Sequence, residues 1–362
     1  MRIGLVARAD NSGLGMQTWE FYNHMKPSKT LVVDMSGHNG NKVYPERYPD
    51  AMWCNGLPDI GTLNEFLDDL DVVFVAEAPY NYALYDLARQ RGIKTAVQYN
   101  YEFFDWYMYP HFPTPDMLIA PSQWHYQDVE AWASQRGIKH VYLHCPVNRI
   151  KLPFQKHDSF KTFLHVAGRA AAHDRNGTMT VIEAAKYCKS DAKILIHFQG
   201  QQGIGHQVTH TLDDYAAVIA EHNTKGNIIV RHEEIDNYQD IYHGADVLLL
   251  PRRYGGNCLP LNEAISCGMP VIMPNISPNN AFLDAMWLVD AEKVGEFTPR
   301  TTIDIYGVPP KRLADKIDQF ALMDADQASA HNQIANTLAE KIDWAEMRRQ
   351  YMEVLEALCK NQ

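Results

Sequence analysis

The strongest constraint on this chain is a rhythm that runs once, stops, and begins again. Apolar runs of strand length at residues 2–8, 30–35, 71–78, 94–99, 117–122 and 140–146 alternate with helical patterns. A second series follows at 160–168, 192–200, 227–235, 246–252 and 270–275. Near-continuous apolar strands separated by helix-length segments are what parallel sheets covered on both faces require. The helical patterns NYALYDLARQRG and QWHYQDVEAWASQRG close on Gly92 and Gly137, glycine being the residue that most readily takes the left-handed turn ending a helix. Between the two series lies NRIKLPFQKHDS, polar and basic with one proline, which reads as a linker. The expected fold is α/β, with two Rossmann-like lobes facing each other across a cleft. The lobes are expected at 1–150 and 151–340, with a helix in 341–362 returning to the first. In that last segment Trp344, Met347, Tyr351, Val354, Leu355 and Leu358 recur at three- and four-residue spacings, an apolar stripe that reads as core packing.

Length and charge narrow the partners. The 362 residues are long enough for two domains and carry a formal charge of −11. Residues 1–150 hold 12 basic and 17 acidic side chains, and residues 151–362 hold 21 and 27, so the excess is spread evenly. An even acidic balance disfavours a protein that lives on DNA phosphate or anionic membrane, and leaves small anionic ligands open. The first ten residues lack the apolar stretch of a signal peptide, and no run is long enough to span a bilayer. Six scattered cysteines without a C-x-x-C pair read as reduced, buried thiols. The expectation is a cytoplasmic protein with no membrane insertion.

The chemistry concentrates in LLLPRRYGGNCLPLNEAISCGMPVIMP, residues 248–274. A strand enters a glycine turn and then a helix whose first turn contains Pro260, a position that needs no amide proton. The amides of Gly256, Asn257, Cys258 and Leu259 would then form the positive end of a helix, a ready seat for phosphate. Glu263, one turn in, is placed to accept hydrogen bonds from a vicinal diol such as ribose, although a carboxylate there also simply favours its helix end. In HVAGRAAAHDRNG, residues 165–177, Arg169 and Arg175 leave the carboxyl end of a strand, the edge where open α/β sheets bind ligands. Two guanidiniums at such an edge suit a diphosphate, whereas one alone is usually a solvated charge.

These residues carry a resemblance. RRYGGNCLPLNEAISCGMPVI resembles the sugar-nucleotide signature of glycosyltransferase family 4, E-G-F-G-L-P-x-x-E-A-x-x-x-G-x-P-V. HVAGRAAAHDRNGTMTVIEA is similar to the family's V-G-R...K-N-G...L-I-E-A stretch, with Arg175 at the lysine after a one-residue insertion. DMLIAPSQWHYQDVEAW, HCPVN, ADVLLLPRRY, NSGLGMQTWEF and WAEMRRQYMEVLEAL resemble further family segments in family order, so the likeness covers nearly the whole chain. It implies the GT-B fold and transfer of a sugar, UDP-hexose being the expected donor, with retention and without a metal or other cofactor. Arg169, Arg175 and Glu263 would be the catalytic set, stabilising the departing diphosphate and holding the ribose. Gly15, Gly255, Gly256, Asn257, Cys258 and Leu259 would complete the donor site.

Two positions depart from the family. The first glutamate of its E-x7-E pair falls on Gly255, so the carboxylate that usually contacts the transferred sugar is replaced. Where many relatives carry a histidine near the reacting centre, AVQYNYE offers Tyr99 or Asn100. Residues 99–109 hold seven aromatics in eleven positions, an excess that points to an acceptor-lining surface as much as to core. Gly13, Tyr99, Asn100, Glu102 and Asp105 are therefore the acceptor-side candidates. Gly13-Leu14-Gly15 imitates a dinucleotide fingerprint, but polar residues separate it from its strand and Thr18 stands at the third glycine position. Asp69-Leu70-Asp71 imitates a metal-binding D-x-D at a helix-to-strand junction and reads as structural. His206 and His210 lack the H-E-x-x-H glutamate, and His140 and His144, on one strand, lack a third ligand. Rival readings are a sugar-nucleotide epimerase of the same fold and a non-catalytic sugar-nucleotide or glycan-binding module. A glycan, a protein side chain, a small metabolite or a hydroxylated nucleobase in DNA all fit as acceptor, nucleic acid entering only in that role.

Overall fold

The structure, a computed structural model, describes residues 1–104, 110–149, 159–168, 172–199, 210–233, 235 and 237–360. The chain divides into two compact units. The first comprises Met1–Pro146, Thr298–Thr302 and Trp344–Gln362, and the second comprises Val147–Phe297 and Ile303–Asp343.

The first unit is built on seven parallel strands: β1 (Ile3–Ala7), β2 (Lys29–Asp34), β3 (Met52–Asn55), β4 (Val72–Ala76), β5 (Lys94–Gln98), β6 (Met117–Ala120) and β7 (Lys139–Tyr142). Their order is β3-β2-β1-β4-β5-β6-β7. Side chains alternate across the sheet, and both faces are buried. Val6, Leu31, Val73 and Val75 pack beneath α2 (Ile60–Phe66) and α3 (Ala83–Gln90) through Leu63, Phe66, Leu84 and Tyr85. Leu5, Val32, Phe74 and Ala76 face α1 (Gly13–Met25) and a C-terminal helix, Trp344–Lys360. That helix buries Trp344, Met347, Tyr351, Leu355 and Leu358 and leaves Val354 half-buried. Each such buried side chain contributes roughly 1.5–3 kcal/mol. The Tyr351 hydroxyl donates to Gln98 Oε1 at 2.5 Å, which satisfies two polar groups inside this core. Asp69 and Asp71 both engage Arg2, just ahead of β1. Asp69 pairs with Arg2, and Asp71 accepts from the Arg2 amide at 2.5 Å.

The second unit repeats the plan with six parallel strands: β8 (Thr162–Gly168), β9 (Lys193–Phe198), β10 (Ile228–His232), β11 (Val247–Leu249), β12 (Val271–Pro274) and β13 (Leu288–Val289), in the order β10-β9-β8-β11-β12-β13. Helices α4 (Tyr126–Ser134) in the first unit and α5 (Thr178–Ala185), α6 (Leu212–His222), α7 (Leu259–Ser266), α8 (Pro310–Ala321) and α9 (Ala325–Ile342) in the second precede the C-terminal helix, α10. An antiparallel pair, β14 (Glu292–Phe297) and β15 (Ile303–Gly307), lies outside both sheets. Inside the second core Asp246 accepts from the amides of Lys161 and Thr162, each at 2.7 Å, and so anchors the start of β8.

Three sequence expectations change. All eleven apolar runs contain strands, but β3, β13, β14 and β15 lie outside them. The strand expected to hold His140 and His144 ends at Tyr142, so His144 follows it. All six cysteines are free, but Cys54 and Cys359 are half-buried.

Candidate active site

Both sheets have a place where the strand order reverses direction, and there the loops leaving two adjacent strands part to open a crevice at the carboxyl edge. In the second sheet the place lies between β8 and β11. The loop after β8 reaches Gly177, whose φ is +74°; a Cβ on it would meet the Pro251 carbonyl oxygen at 2.3 Å. Only glycine lets the loop after β11 come this close. Asp174 fixes the start of α5 by accepting from the amides of Thr178 (3.0 Å) and Met179 (2.9 Å) and from the Tyr215 hydroxyl (3.0 Å). Arg253 ties the two loops together: its amide donates to the Arg175 carbonyl at 2.8 Å and its Nη1 to the His173 carbonyl at 2.7 Å.

This framework brings two guanidiniums onto one glycine. Gly255 has φ +111°, and a Cβ built on it would lie 2.5 Å from Arg252 Nη2 and 2.6 Å from Arg175 Nη2. Arg252 is buried, and its Nε donates to the Tyr254 carbonyl at 2.9 Å. The Arg175 guanidinium sits 5.2 Å from the Tyr254 ring centroid, a cation–π contact. The space that a side chain at position 255 would take is therefore filled by positive charge. Gly256 and Asn257 are half-buried, and Cys258 caps α7 without a side-chain hydrogen bond to the first turn. Leu259 begins the helix and Pro260 is its second residue. Glu263 is buried, with Oε2 accepting from the Tyr242 hydroxyl at 2.5 Å. Burial first, and the Glu263 carboxylate second, hold the Tyr242 phenol well above its usual pKa, so it remains a donor that fixes the carboxylate. Nearby, the His165 Nδ1–H on β8 donates to the Leu249 carbonyl at 2.8 Å and Nε2 accepts from the Thr178 hydroxyl at 2.9 Å, and burial pushes the ring's pKa down to about 4.

The corresponding place in the first sheet lies between β1 and β4. Val6 pairs with Val75, so two residues later Arg8 and Glu77 leave the sheet side by side. Asp10 organises the loop after β1: it pairs with Arg8, accepts from the Ser12 amide at 3.0 Å and from Asn41 Nδ2 at 3.0 Å, and also accepts from the Ser12 hydroxyl. Burial works against the Asp10 carboxylate, but Arg8 and Ser12 outweigh it and the pKa falls. Burial likewise pulls the Arg8 pKa down, and Tyr80 and Asp10 reverse that effect. Ser12 caps α1 by accepting from the Gly15 amide at 3.1 Å. Glu77 and Tyr80, after β4, have φ of +67° and +62°. These loops border a cavity of about 660 Å³ whose walls are mostly apolar, among them Leu14, Met35, Leu57, Tyr82 and Phe112.

Residues 151–284 match the family model described as glycosyl transferases group 1. That match spans 134 of the 362 residues, all of them in the second unit. Solved structures extend the likeness over the whole chain. A glycosyltransferase from Rickettsia africae ESF-5 aligns at a TM-score of 0.70 and 14% identity, over 100% of this chain and 99% of its own. Sucrose-phosphate synthase from Thermosynechococcus elongatus aligns at 0.69 and 13%, over 100% of both chains. HepE from Anabaena, in a complex with UDP and glucose, aligns at 0.67 and 11%, over 99% of this chain and 100% of its own. At such identities the likeness shows the fold, which is GT-B. No curated protein matches the chain by sequence.

The matched stretch holds Arg175, Gly255, Gly256, Asn257, Cys258, Leu259 and Glu263 at one sheet edge. Arg169 lies outside the described residues, as do Asp105 and His206. Sequence reasoning missed Arg252. Its signal was the arginine doublet that begins three residues after β11, which reads as two loop charges until burial separates them. The remaining candidates belong to the first unit. Gly13 is exposed at the start of α1. Gly15 is buried, and a Cβ there would lie 2.1 Å from the Asp10 carbonyl oxygen. Tyr99 is a core residue, 2% exposed, with its hydroxyl 3.1 Å from His140 Nε2. Asn100 donates to Glu77 Oε2 at 2.6 Å, which joins it to the cavity, and the Glu102 carbonyl accepts from the Thr301 amide at 3.1 Å. Arg8, Asp10, Glu77 and Tyr80 were not anticipated, because the strand-end sequences around them carry no motif. Among the described residues no group of three or more His, Cys, Asp or Glu side chains is arranged to hold a metal ion.

Proposed function

We propose that this protein is a glycosyltransferase that takes a hexosyl group from a UDP-sugar bound by the second unit and gives it to a hydroxyl of an acceptor bound by the first unit. The observation that carries the reading is the convergence of Arg175 and Arg252 on Gly255, beside the amino end of α7 and Glu263. Two fixed cations of like charge packed on a glycine are stabilised by an anion between them, and a diphosphate matches their planar forks. As the bond between the sugar carbon and the diphosphate oxygen breaks, its electron pair leaves with UDP. The acceptor oxygen bonds to that carbon and its proton passes to the released diphosphate. Cations held in place before the reaction stabilise this developing charge without reorganisation, which supports a metal-independent mechanism. The complex of HepE with UDP and glucose supports UDP as the carrier, and the resemblance to family 4 supports retention of configuration. The cytoplasm as the site of action is part of the same proposal; no described helix is long and apolar enough to cross a membrane.

The test is a thermal-shift series with UDP, UDP-glucose and UMP, followed by mass spectrometry of donor and products with and without acceptor. UDP and UDP-glucose should raise the melting temperature and UMP should do so less. Absence of any shift with the diphosphates overturns the donor site. Conversion of the donor sugar without acceptor would mark an epimerase, and tight binding without donor consumption a binding module.

A further inference from the structure

We infer that the cavity between the β1 and β4 loops takes a neutral, planar aromatic alcohol, held by ring contacts along its walls and oriented at its hydroxyl by Arg8 and Glu77. The inference rests on the transferase reading only for the fate of that hydroxyl, which would be the sugar acceptor.

Three independent observations point the same way. The first is the wall chemistry. Leu14, Met35 and Leu57 offer carbon, and the Tyr82 and Phe112 rings stack at 4.8 Å with planes 15° apart, giving a ready edge or face for a third ring. Leu57 is 63% exposed and Phe112 42% exposed, large apolar surfaces at the cavity that a ligand would cover. A glycan or a peptide backbone entering here would lose water from hydroxyls and amides that carbon walls cannot replace. The second is the polar pair. Arg8 and Glu77 emerge side by side from paired strands and carry opposite charge; Arg300 and His111 also line the cavity, and because Arg8 is paired with Asp10, the Arg300 cation is balanced by Glu77. A hydroxyl accepts from the guanidinium and donates to the carboxylate, whereas an anionic ligand group meets Glu77 unfavourably and a cationic one meets Arg8. The third is the backbone. Glu77 and Tyr80 are non-glycine residues held at positive φ within four positions, and both border the cavity. Conformations of that kind persist where surrounding structure enforces them, and they cluster at ligand sites. A volume of about 660 Å³ suits a ligand of two or three rings.

The test uses the full chain and 2-naphthalenemethanol as probe, with maltotriose and a serine-containing peptide as competitors for the same role. Binding is read by saturation-transfer NMR and calorimetry, and transfer by product mass with UDP-glucose. The probe should bind, and Leu57→Glu and Phe112→Ala should each weaken it at least tenfold while leaving UDP binding and the melting temperature unchanged. Glu77→Gln should lower transfer to the probe more than it lowers probe binding. Binding of the probe that both rim variants leave unchanged, or transfer to maltotriose or the peptide in preference to the probe, overturns the cavity assignment while the transferase reading stands. Probe binding that the rim variants abolish, with no sugar transferred to any acceptor, supports the cavity assignment and overturns the transferase reading.

Discussion

The carboxyl edges of the two sheets are built alike and filled differently. Each sheet places its first and fourth strands side by side, and each opens its loops there. The second edge presents Arg175 and Arg252 over a glycine, with a helix start beside them and a buried carboxylate one turn into that helix. The first presents Glu77, Arg300, His111 and an Arg8 already paired with Asp10, in a cavity whose walls are mostly carbon. Shared topology therefore supplies two crevices, and the residues in the first few positions after each strand decide whether a crevice suits an anion or an apolar ring. The glycines show the same division. Gly255 makes room for guanidiniums, while Gly15 makes room for the Asp10 backbone.

The contrast breaks most sharply if the cations are removed from the second edge. Arg175→Ala combined with Arg252→Ala should lower kcat/KM about a hundredfold or more, since a hydrogen bond to a charged group is worth roughly 1.5–3 kcal/mol. Steady-state rates with UDP-glucose would check it, and near-normal rates would show that the anion is held elsewhere. The next effect concerns the frame under that edge. Folded His165 stays neutral down to about pH 4, whereas an unfolded histidine takes a proton near its ordinary pKa of 6.5. Its contribution is whole above pH 6.5 and is lost as pH falls toward 4, by roughly 3 kcal/mol at the bottom of that window. Urea midpoints at pH 7 and pH 4.5 should differ by more in the native protein than in His165→Gln. The counterpart in the first unit is Gly15→Ala, which forces a methyl against the Asp10 carbonyl. It should cost roughly 1–3 kcal/mol of stability in a urea titration, and an unchanged midpoint would mean the Asp10 loop yields easily. Glu263→Ala should lower kcat/KM at least about tenfold and shift UDP affinity, and an effect on acceptor affinity alone would move Glu263 out of the donor site. Smallest is Leu57→Glu, whose exposed position should keep the stability change within about 0.5 kcal/mol and so leaves its effect on cavity ligands readable.

Much of the architecture was legible because strands buried on both faces must be apolar along their whole length. β4, with all five residues buried, is plain in the sequence. β14, Glu292–Phe297, carries no buried residue, so its sequence reads as a charged loop although its backbone is paired. The turn-to-helix stretch around Gly255 was legible because glycine, proline and glutamate each have a local reason for their positions. Arg252 was not, since burial of an arginine depends on neighbours distant in sequence. Tyr99 illustrates the opposite difficulty. An aromatic-rich segment announces rings, but only the packing of His140 and Phe104 around Tyr99 fixes it in the core.

The first unit draws on both ends of the chain, since α10 covers the face of the sheet that begins with β1. During synthesis the strands of that sheet leave the ribosome long before Trp344 does. Until α10 emerges, Leu5, Phe21 and Phe74 lack their final cover. The second unit, closed by Asp343, has all its strands in hand first. Biosynthesis thus finishes the second unit before the first, because α10, which completes the fold around β1, is made after both sheets.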